Sequence, residues 1–176
     1  MISYPKNDQQ IKAVIHRLPE DKEIQPLTIE QNHKQTFGYA LNSALSIATG
    51  DYICLWNNED WCHPSRLWFQ YNSIQGTRYD ASVLNRVMLY DSTTQKAYVS
   101  SSHPLYGSLL CRKEVTLAHP FDHLNKGEDA SVIKFLLSKN ILFYMDDCPF
   151  LYAYVYDGKK HKKYWDDNKI FHKVNY

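Results

Sequence analysis

The chain has 176 residues, of which 44% are apolar and 22% are charged. This length and composition predict a globular protein with enough apolar residues for a hydrophobic core. The net charge is only +1, which argues against the overall basic character of a nucleic-acid-binding protein. No apolar run reaches the ~18 residues that a membrane-spanning helix requires.

The first 60 residues predict alternating helices and strands, because apolar residues recur at helical or strand spacing between Gly and Pro residues. The predicted elements are, in order, a strand at 1–4, a helix at 8–18, a weak strand at 24–29, a helix at 36–48 and a strand at 52–56. Gly50 is expected to end the 36–48 helix.

The remainder of the chain predicts more strands than helices. Pro64 opens a helix that carries Leu67, Tyr71 and Ile74 on its apolar face and that Gly76 ends. The later predicted elements are strands at 82–90, 96–99, 105–112, 141–145 and 150–156, and a helix at 130–138. This order predicts an α/β fold, a single domain over 1–176 with a mixed central sheet flanked by helices. The tail, 157–176, is expected to form a short helix or an ordered flap.

The cysteines and the chain termini bear on the cellular compartment. The four cysteines are spaced neither as zinc ligands nor as CxxC pairs. The first residues lack the features of a signal peptide, so a reducing cytoplasm is expected. The lysine-rich run at 159–163 is typical of a solvated surface, and contact with a phosphate or a membrane surface is the sharper alternative.

The first candidate site is Asn57-Asn58-Glu59-Asp60, directly after the strand at 52–56. Carboxylates two residues apart can converge on one cation if the backbone turns between them, and Mg²⁺ and Mn²⁺ prefer such oxygen ligands. The amide of Asn57 can coordinate through oxygen but brings no charge. The same four residues are equally typical of a turn that leads into the next helix.

Two further groups of polar residues could take part in chemistry. Glu128 and Asp129 stand at a predicted helix N-terminus, where the helix dipole would keep a carboxylate ionised and able to act as a general base. Ordinary helix capping is the alternative, and position alone favours it. Asp157 and His161 follow the alternating tyrosines of the last predicted strand and could add metal or phosphate contacts.

Several short motifs, taken in order, resemble the family 2 glycosyltransferases of the GT-A fold over residues 32–157. The motifs that carry the resemblance are Ala48-Thr49-Gly50-Asp51-Tyr52-Ile53, Asn57-Asn58-Glu59-Asp60-Trp61, Pro64-Ser65-Arg66-Leu67, Tyr106-Gly107-Ser108 and Gly127-Glu128-Asp129. The resemblance implies transfer of a sugar from a nucleotide sugar, with a UDP-sugar expected, to a hydroxyl of a saccharide or another acceptor. It also implies an inverting reaction assisted by Mn²⁺ or Mg²⁺.

The resemblance further implies roles for individual residues. Asp129 takes the position of the base, and Glu128 orients the acceptor or the base. The implied metal ligands are Glu59, Asn57 and Asp60. The implied donor-binding residues are Asn58, Glu30, Asp157 and His161. The implied acceptor-binding residues are Trp61, Tyr106 and Gly107. Residues 1–31 would form a reduced nucleotide-binding portion, and residues 157–176 a C-terminal tail.

Asn57 and Asn58 stand where the family places acidic residues, and this departure motivates a second hypothesis. The chain would then be a catalytically impaired GT-A-like module that binds a sugar, a partner protein or another copy of itself. A metal-dependent hydrolase built on the same carboxylates is a third and weaker hypothesis.

Overall fold

The computed structural model describes residues 2–5, 28–31, 35–57, 59–158 and 171–173. The helix expected at 8–18 lies outside these ranges. The strands described are β1 (Ile2–Pro5), β2 (Thr28–Gln31), β3 (Tyr52–Cys54), β4 (Trp61–Cys62), β5 (Ala81–Leu84), β6 (Met88–Asp91), β7 (Lys96–Ser100), β8 (Leu105–Arg112), β9 (Leu142–Met145), β10 (Tyr152–Tyr156) and β11 (Phe171–Lys173). The helices described are α1 (Phe37–Ile47), α2 (Arg66–Ile74), α3 (Lys113–Ala118) and α4 (Ala130–Ser138).

The chain is divided into two compact units. The first comprises residues 1–51 and 113–135, and the second comprises residues 52–112 and 136–176. In the first unit β1 and β2 form a parallel pair, and α1 packs against both β2 and α3. The grouping of the whole chain into one domain stays a prediction.

The second unit contains two mixed sheets. One has the strand order β3-β8-β5-β9, and the other has the order β11-β7-β6-β10-β4. The pairs β5–β9 and β6–β10 are parallel, whereas the other pairs are antiparallel. The predicted mixed α/β class is therefore confirmed, with the strands of this unit distributed over two sheets.

The strand predicted at 82–90 is instead two strands that belong to different sheets. The chain leaves β5 at Asn85, whose backbone N–H donates to Met145 O at 2.8 Å, and it enters β6 after Val87. Leu84 and Val87 both lie in a buried cluster with Met145 and Leu151. Because the residues before and after this change of sheet are both apolar and buried, the apolar pattern of the sequence continues although the strand pairing is interrupted.

Other boundaries differ because local hydrogen bonds decide them. Helix α1 begins after Thr36, whose side chain accepts the N–H of Tyr39, and it ends at Ala48 in an extended conformation, before Gly50. The strand predicted from Phe150 begins as a 3₁₀ turn at Pro149–Leu151. The tail, expected to be a helix or flap, contains β11, which pairs with β7.

In the described part of the chain, no helix combines the length and the apolar character that crossing a membrane requires.

Candidate active site

The loop 55–60 of the second unit carries the first candidate site, and a carboxylate fixes its end. The Oδ2 atom of Asp60 accepts hydrogen bonds from the Tyr152 hydroxyl and the Asn57 amide, each at 2.6 Å. Its Oδ1 atom accepts the backbone N–H of Val155 at 3.1 Å. Backbone pairing between β4 and β10 stops at Trp61, so the Asp60 side chain continues that contact where the strand ends.

The side chain of Asn57 closes the turn within the same loop. Its amide nitrogen donates to Asp60, and its carbonyl oxygen accepts the backbone N–H of Glu59 at 3.2 Å. Glu59 itself is exposed. The hydrogen bonds of Asn57 and Asp60 therefore shape a turn, as one of the two sequence alternatives predicted, and the ligand alternative stays a prediction.

Arg66 lies beneath this loop and is 0% exposed. Its Nη2 atom donates to the carbonyls of Leu55 and Ser108, each at 2.9 Å. Its Nε atom donates to Oε1 of Gln70 at 2.9 Å. The guanidinium carbon also lies 5.0 Å from the centroid of the Trp56 ring. Arg66 thus ties the loop to β8 and to its own helix.

Neutral groups surround this buried charge. The thiols of Cys62 and Cys54 lie 3.2 Å and 3.3 Å from the guanidinium nitrogens, and the Tyr152 ring lies 5.5 Å from its carbon. Burial raises the pKa of the Cys54 thiol to about 11, against a smaller opposing effect of Arg66. Arg112, by contrast, forms an ion pair with the carboxylate of Asp80 at 2.9 Å.

Sequence reasoning missed Arg66 because it grouped Leu67 and Tyr71 with Ile74 on the apolar face of α2, and of these three only Ile74 is buried. The buried residues of α2 are Arg66, Gln70 and Ile74, whereas Leu67 and Tyr71 are exposed. The signal was present in the sequence, since Arg66 and Gln70 are spaced i and i+4 on the same face as Ile74. Hydropathy alone assigns such residues to solvent.

Ser108 is the other buried polar residue that supports this loop. Its hydroxyl donates to Leu105 O at 2.6 Å and accepts the backbone N–H of Leu84 at 2.9 Å. These hydrogen bonds lie where the register of the β5–β8 pairing shifts, between Ser82 and Leu84. The bulge leaves the Ser108 carbonyl for Arg66 and Gln70, both at 2.9 Å.

In the first unit, α1 holds the loop 121–129 that carries the second candidate site. The amide of Asn42 accepts the N–H of Phe121 at 2.9 Å and donates to its carbonyl at 2.8 Å. The backbone N–H of Gly38 donates to Leu124 O at 2.9 Å. A Cβ atom at Gly38 would overlap the carbonyl oxygen of Asp122, so only glycine permits this close approach.

Asp122 connects the loop to the helix that follows. Its carboxylate accepts the Ser131 hydroxyl at 2.7 Å and the Ser131 backbone N–H at 3.3 Å, in the first turn of α4. Its backbone N–H donates to Glu128 O at 2.8 Å. Asp122 therefore accepts a backbone N–H in the first turn of α4, where N–H groups lack partners within the helix. It also holds the segment that carries Glu128 and Asp129.

Asp129 directly precedes α4 and is half-buried. Burial raises the pKa of its carboxyl group above the ordinary value, and a backbone hydrogen bond opposes this effect less strongly. Burial thus acts against the stabilisation of the ionised form that the position before a helix was expected to provide.

Other residues to which the resemblance assigns a role in binding are Tyr106, Gly107, Asp157, Asn58, His161 and Glu30. Gly107 is exposed on β8. Burial raises the pKa of Tyr144, and the charge interaction and hydrogen bond with Tyr106 raise it further. Asp157 is exposed at the end of β10. Asn58, His161 and the side chain of Glu30 lie outside the described residues. The roles of all these residues stay predictions.

Loop 55–60 offers the side-chain oxygen atoms of Asn57, Glu59 and Asp60 as ligands for the divalent metal that the resemblance implies. In the described ranges, no three His, Cys, Asp or Glu side chains are grouped as metal ligands. Asp60 is engaged by three hydrogen bonds, which leaves Glu59 as the exposed carboxylate and the Asn57 oxygen as a neutral donor. Such a set fits a Mg²⁺ or Mn²⁺ ion that is shared with substrate phosphates, and it does not fit an all-protein cage.

Comparison with known proteins identifies the class of protein. Residues 8–148 match the sequence profile of the "Glycosyl transferase family 2" proteins, so the chain belongs to the family 2 glycosyltransferases. No curated protein sequence matches the chain.

A solved structure shows the same fold. It is the glucosyl-3-phosphoglycerate synthase of Mycobacterium tuberculosis, in complex with Mn²⁺, UDP-glucose and glycerol 3-phosphate, with a TM-score of 0.54 and 14% sequence identity. The match covers 82% of this chain and 57% of that one, so this chain spans little more than half the length of its structural relative. The expected GT-A fold is confirmed.

We expect Arg66→Lys to destabilise the protein by roughly 2–4 kcal/mol, because an ammonium group cannot reach both carbonyls and Gln70 as the planar fork does. Urea denaturation would measure the loss. Arg78→Lys, at an exposed position, is the matched control and should change the free energy of unfolding by less than about 0.5 kcal/mol. Equal stability of the two variants would contradict the role of Arg66.

Gly38→Ala should destabilise the protein by roughly 1–3 kcal/mol, since the new methyl group overlaps the Asp122 carbonyl. The sign is diagnostic, because the same change within a helix ordinarily stabilises by up to ~1 kcal/mol. Gly107→Ala serves as the control, as its added Cβ meets no atom within 4 Å. Thermal denaturation of both variants measures the difference, and a more stable Gly38→Ala protein would refute the close approach.

Asp129→Asn should stabilise the protein at neutral pH by less than about 1 kcal/mol, with the half-exposed position limiting the gain. The raised pKa means that the folded state binds more protons than the unfolded state, so wild-type stability falls as the pH rises above about 4. The difference should vanish below that pH. Urea titrations across pH would show this, with the exposed Asp147→Asn as control. A less stable Asp129→Asn protein at neutral pH would contradict the predicted free-energy cost of burying the charged carboxylate.

Proposed function

We propose that the protein transfers a sugar from a nucleotide-sugar donor to an acceptor hydroxyl with inversion. The observation that carries this proposal is Asp129, a half-buried carboxylate with a raised pKa. It lies on a loop that Gly38, Asn42 and Asp122 hold in place. A carboxylate becomes a stronger base as its pKa approaches the working pH, and perturbed groups of this kind gather at functional sites.

Donor binding is assigned to loop 55–60. Glu59 would hold a divalent cation together with the donor diphosphate, and the Asn57 oxygen would add a neutral ligand. When bound, this cation would neutralise charge on the leaving diphosphate. Asp60 has a different role in this proposal: through Tyr152 and Val155 it fixes the turn that presents Glu59. The complex of the structural relative with UDP-glucose and Mn²⁺ supports a UDP-sugar as the donor.

Acceptor activation is assigned to Asp129. Its carboxylate would take the proton of the acceptor hydroxyl as the oxygen of that hydroxyl attacks the anomeric carbon from the face opposite the diphosphate. The carbon–oxygen bond to the diphosphate breaks in the same displacement, which inverts the anomeric configuration. Glu128, the preceding residue, would orient the acceptor. Trp61, Tyr106 and Gly107 remain the proposed acceptor contacts.

A catalytically impaired binding module is the second candidate, and one observation favours it. The Asn57 amide and the Asp60 carboxylate are hydrogen-bonded to each other at 2.6 Å, so two of the three ligands that the resemblance implies already satisfy one another. This candidate predicts sugar or partner binding without turnover.

Nucleotide binding and turnover separate the two candidates. We expect UDP with Mn²⁺ to stabilise the protein by about 2.7 kcal/mol at 100 times its dissociation constant. Glu59→Gln should weaken this Mn²⁺-dependent binding. Asp129→Asn should keep the binding and lower the rate of release of UDP from UDP-glucose in the presence of acceptor sugars by at least about 100-fold.

Asp147→Asn, at an exposed acidic position, is the control and should behave as the wild type. If neither UDP nor UDP-glucose stabilises the protein, the transferase proposal is wrong. Full turnover by Asp129→Asn would remove Asp129 from the role of base, and binding without turnover in the wild type would support the impaired module.

A further inference from the structure

Five rings of the second unit form a continuous row of edge-to-face contacts, which we term the aromatic row: Trp61, His63, Phe150, Phe69 and Trp68. Successive ring centroids lie 5.9 Å apart for Trp61–His63, 5.7 Å for His63–Phe150, 6.0 Å for Phe150–Phe69 and 5.0 Å for Phe69–Trp68. Each interplanar angle is between 81° and 88°. These contacts fix the rings, so a ligand would find them preorganised.

Three members of the aromatic row are open to solvent. Trp61 is 50% exposed, Phe150 42% and Trp68 63%. Between and behind them, His63 and Phe69 are partly buried and hold the exposed rings in place. Leu67 and Tyr71 of α2 are exposed as well. Large rings held rigidly at a surface offer contact area at little cost in conformational entropy, as they do in binding sites.

The exposed charged residues that flank the aromatic row in the sequence are acidic. Between residues 59 and 77 the one Lys or Arg is Arg66, which is buried. Asp146 and Asp147 are exposed just before the turn that carries Phe150. A phosphate-rich partner such as nucleic acid or an anionic membrane would need basic side chains here. The acidic and uncharged side chains instead favour a neutral ligand with polar groups.

We propose that the aromatic row is a binding surface for a neutral saccharide. The C–H groups on one face of a pyranose ring carry partial positive charge, and they stack on the negative face of an aromatic ring. The row begins at Trp61, directly after Asp60 of loop 55–60. This inference rests on the proposed transferase function, in which the saccharide bound by the aromatic row serves as the acceptor.

Calorimetric titration with three neutral hexasaccharides, maltohexaose, cellohexaose and chitohexaose, tests the proposal. We expect the wild type to bind at least one of them, and Trp68→Ala to weaken that binding about three- to tenfold. Tyr90→Ala is the matched control, because Tyr90 is a 43% exposed aromatic residue of β6 outside the aromatic row. Trp68→Ala should leave binding of UDP with Mn²⁺ unchanged.

The other outcomes overturn the proposal. Failure of all three hexasaccharides to bind, or equal binding by Trp68→Ala and wild type, shows that the aromatic row is no saccharide site. Trp68-dependent binding to phosphatidylcholine vesicles without saccharide binding assigns it to lipid, and Trp68-dependent self-association assigns it to a second copy. Saccharide binding without any nucleotide binding would refute the transferase while the saccharide surface stands.

Discussion

The buried guanidinium of Arg66 is the constraint on which the second unit's candidate site depends. A charged group that is 0% exposed must be satisfied by polar partners, and here the partners are backbone carbonyls and an amide. Those carbonyls belong to Leu55, just before the candidate loop, and to Ser108 in β8. The need to solvate one cation therefore fixes the start of the loop against a strand that is distant in sequence.

The loop of the first unit is held by the same physical means. Neither loop has regular secondary structure, so its backbone groups need partners from neighbouring elements. Asn42 supplies both a donor and an acceptor to Phe121, and Asp122 supplies acceptors to the start of α4. Gly38 supplies space. These three residues hold the loop in place, and the loop carries Asp129, the proposed base.

The sequence predicted the parts of the structure that have a regular pattern. Helix α4 and strand β8 have the predicted bounds, because apolar spacing and flanking turn residues agree there. The break at Asn85 was not predicted, since apolar residues continue across a change of sheet. The burial of Arg66 and Gln70 on α2 was not predicted either, because the carbonyls of Leu55 and Ser108 that accept their hydrogen bonds are distant in the sequence.

The motifs predicted the residues of the candidate site, but the pKa shift of Asp129 and the hydrogen-bond partners of Asp60 could be obtained only from the structure. The raised pKa of Asp129 follows from burial by neighbours that no local pattern specifies. The partners of Asp60 were equally hidden, because Tyr152 and Val155 follow it by more than 90 positions. Motif position assigned Asp60 to the metal, whereas the geometry gives its two oxygen atoms three hydrogen bonds within the protein.

The amide at position 57 accounts for this difference between motif and geometry. Asn57 can donate to Asp60 at 2.6 Å and accept from the N–H of Glu59 at the same time. A carboxylate in its place could only accept, and at that distance two ionised carboxylates repel each other unless a cation lies between them. Asn57 therefore lets the turn form without a cation. Burial and the bond to Asp60 both raise the pKa of Tyr152, so its hydroxyl stays a donor to the same carboxylate. The turn is thus held by hydrogen bonds of the protein itself, and in the proposed site a divalent ion would rely on Glu59 and the phosphates of the nucleotide sugar for its negatively charged ligands.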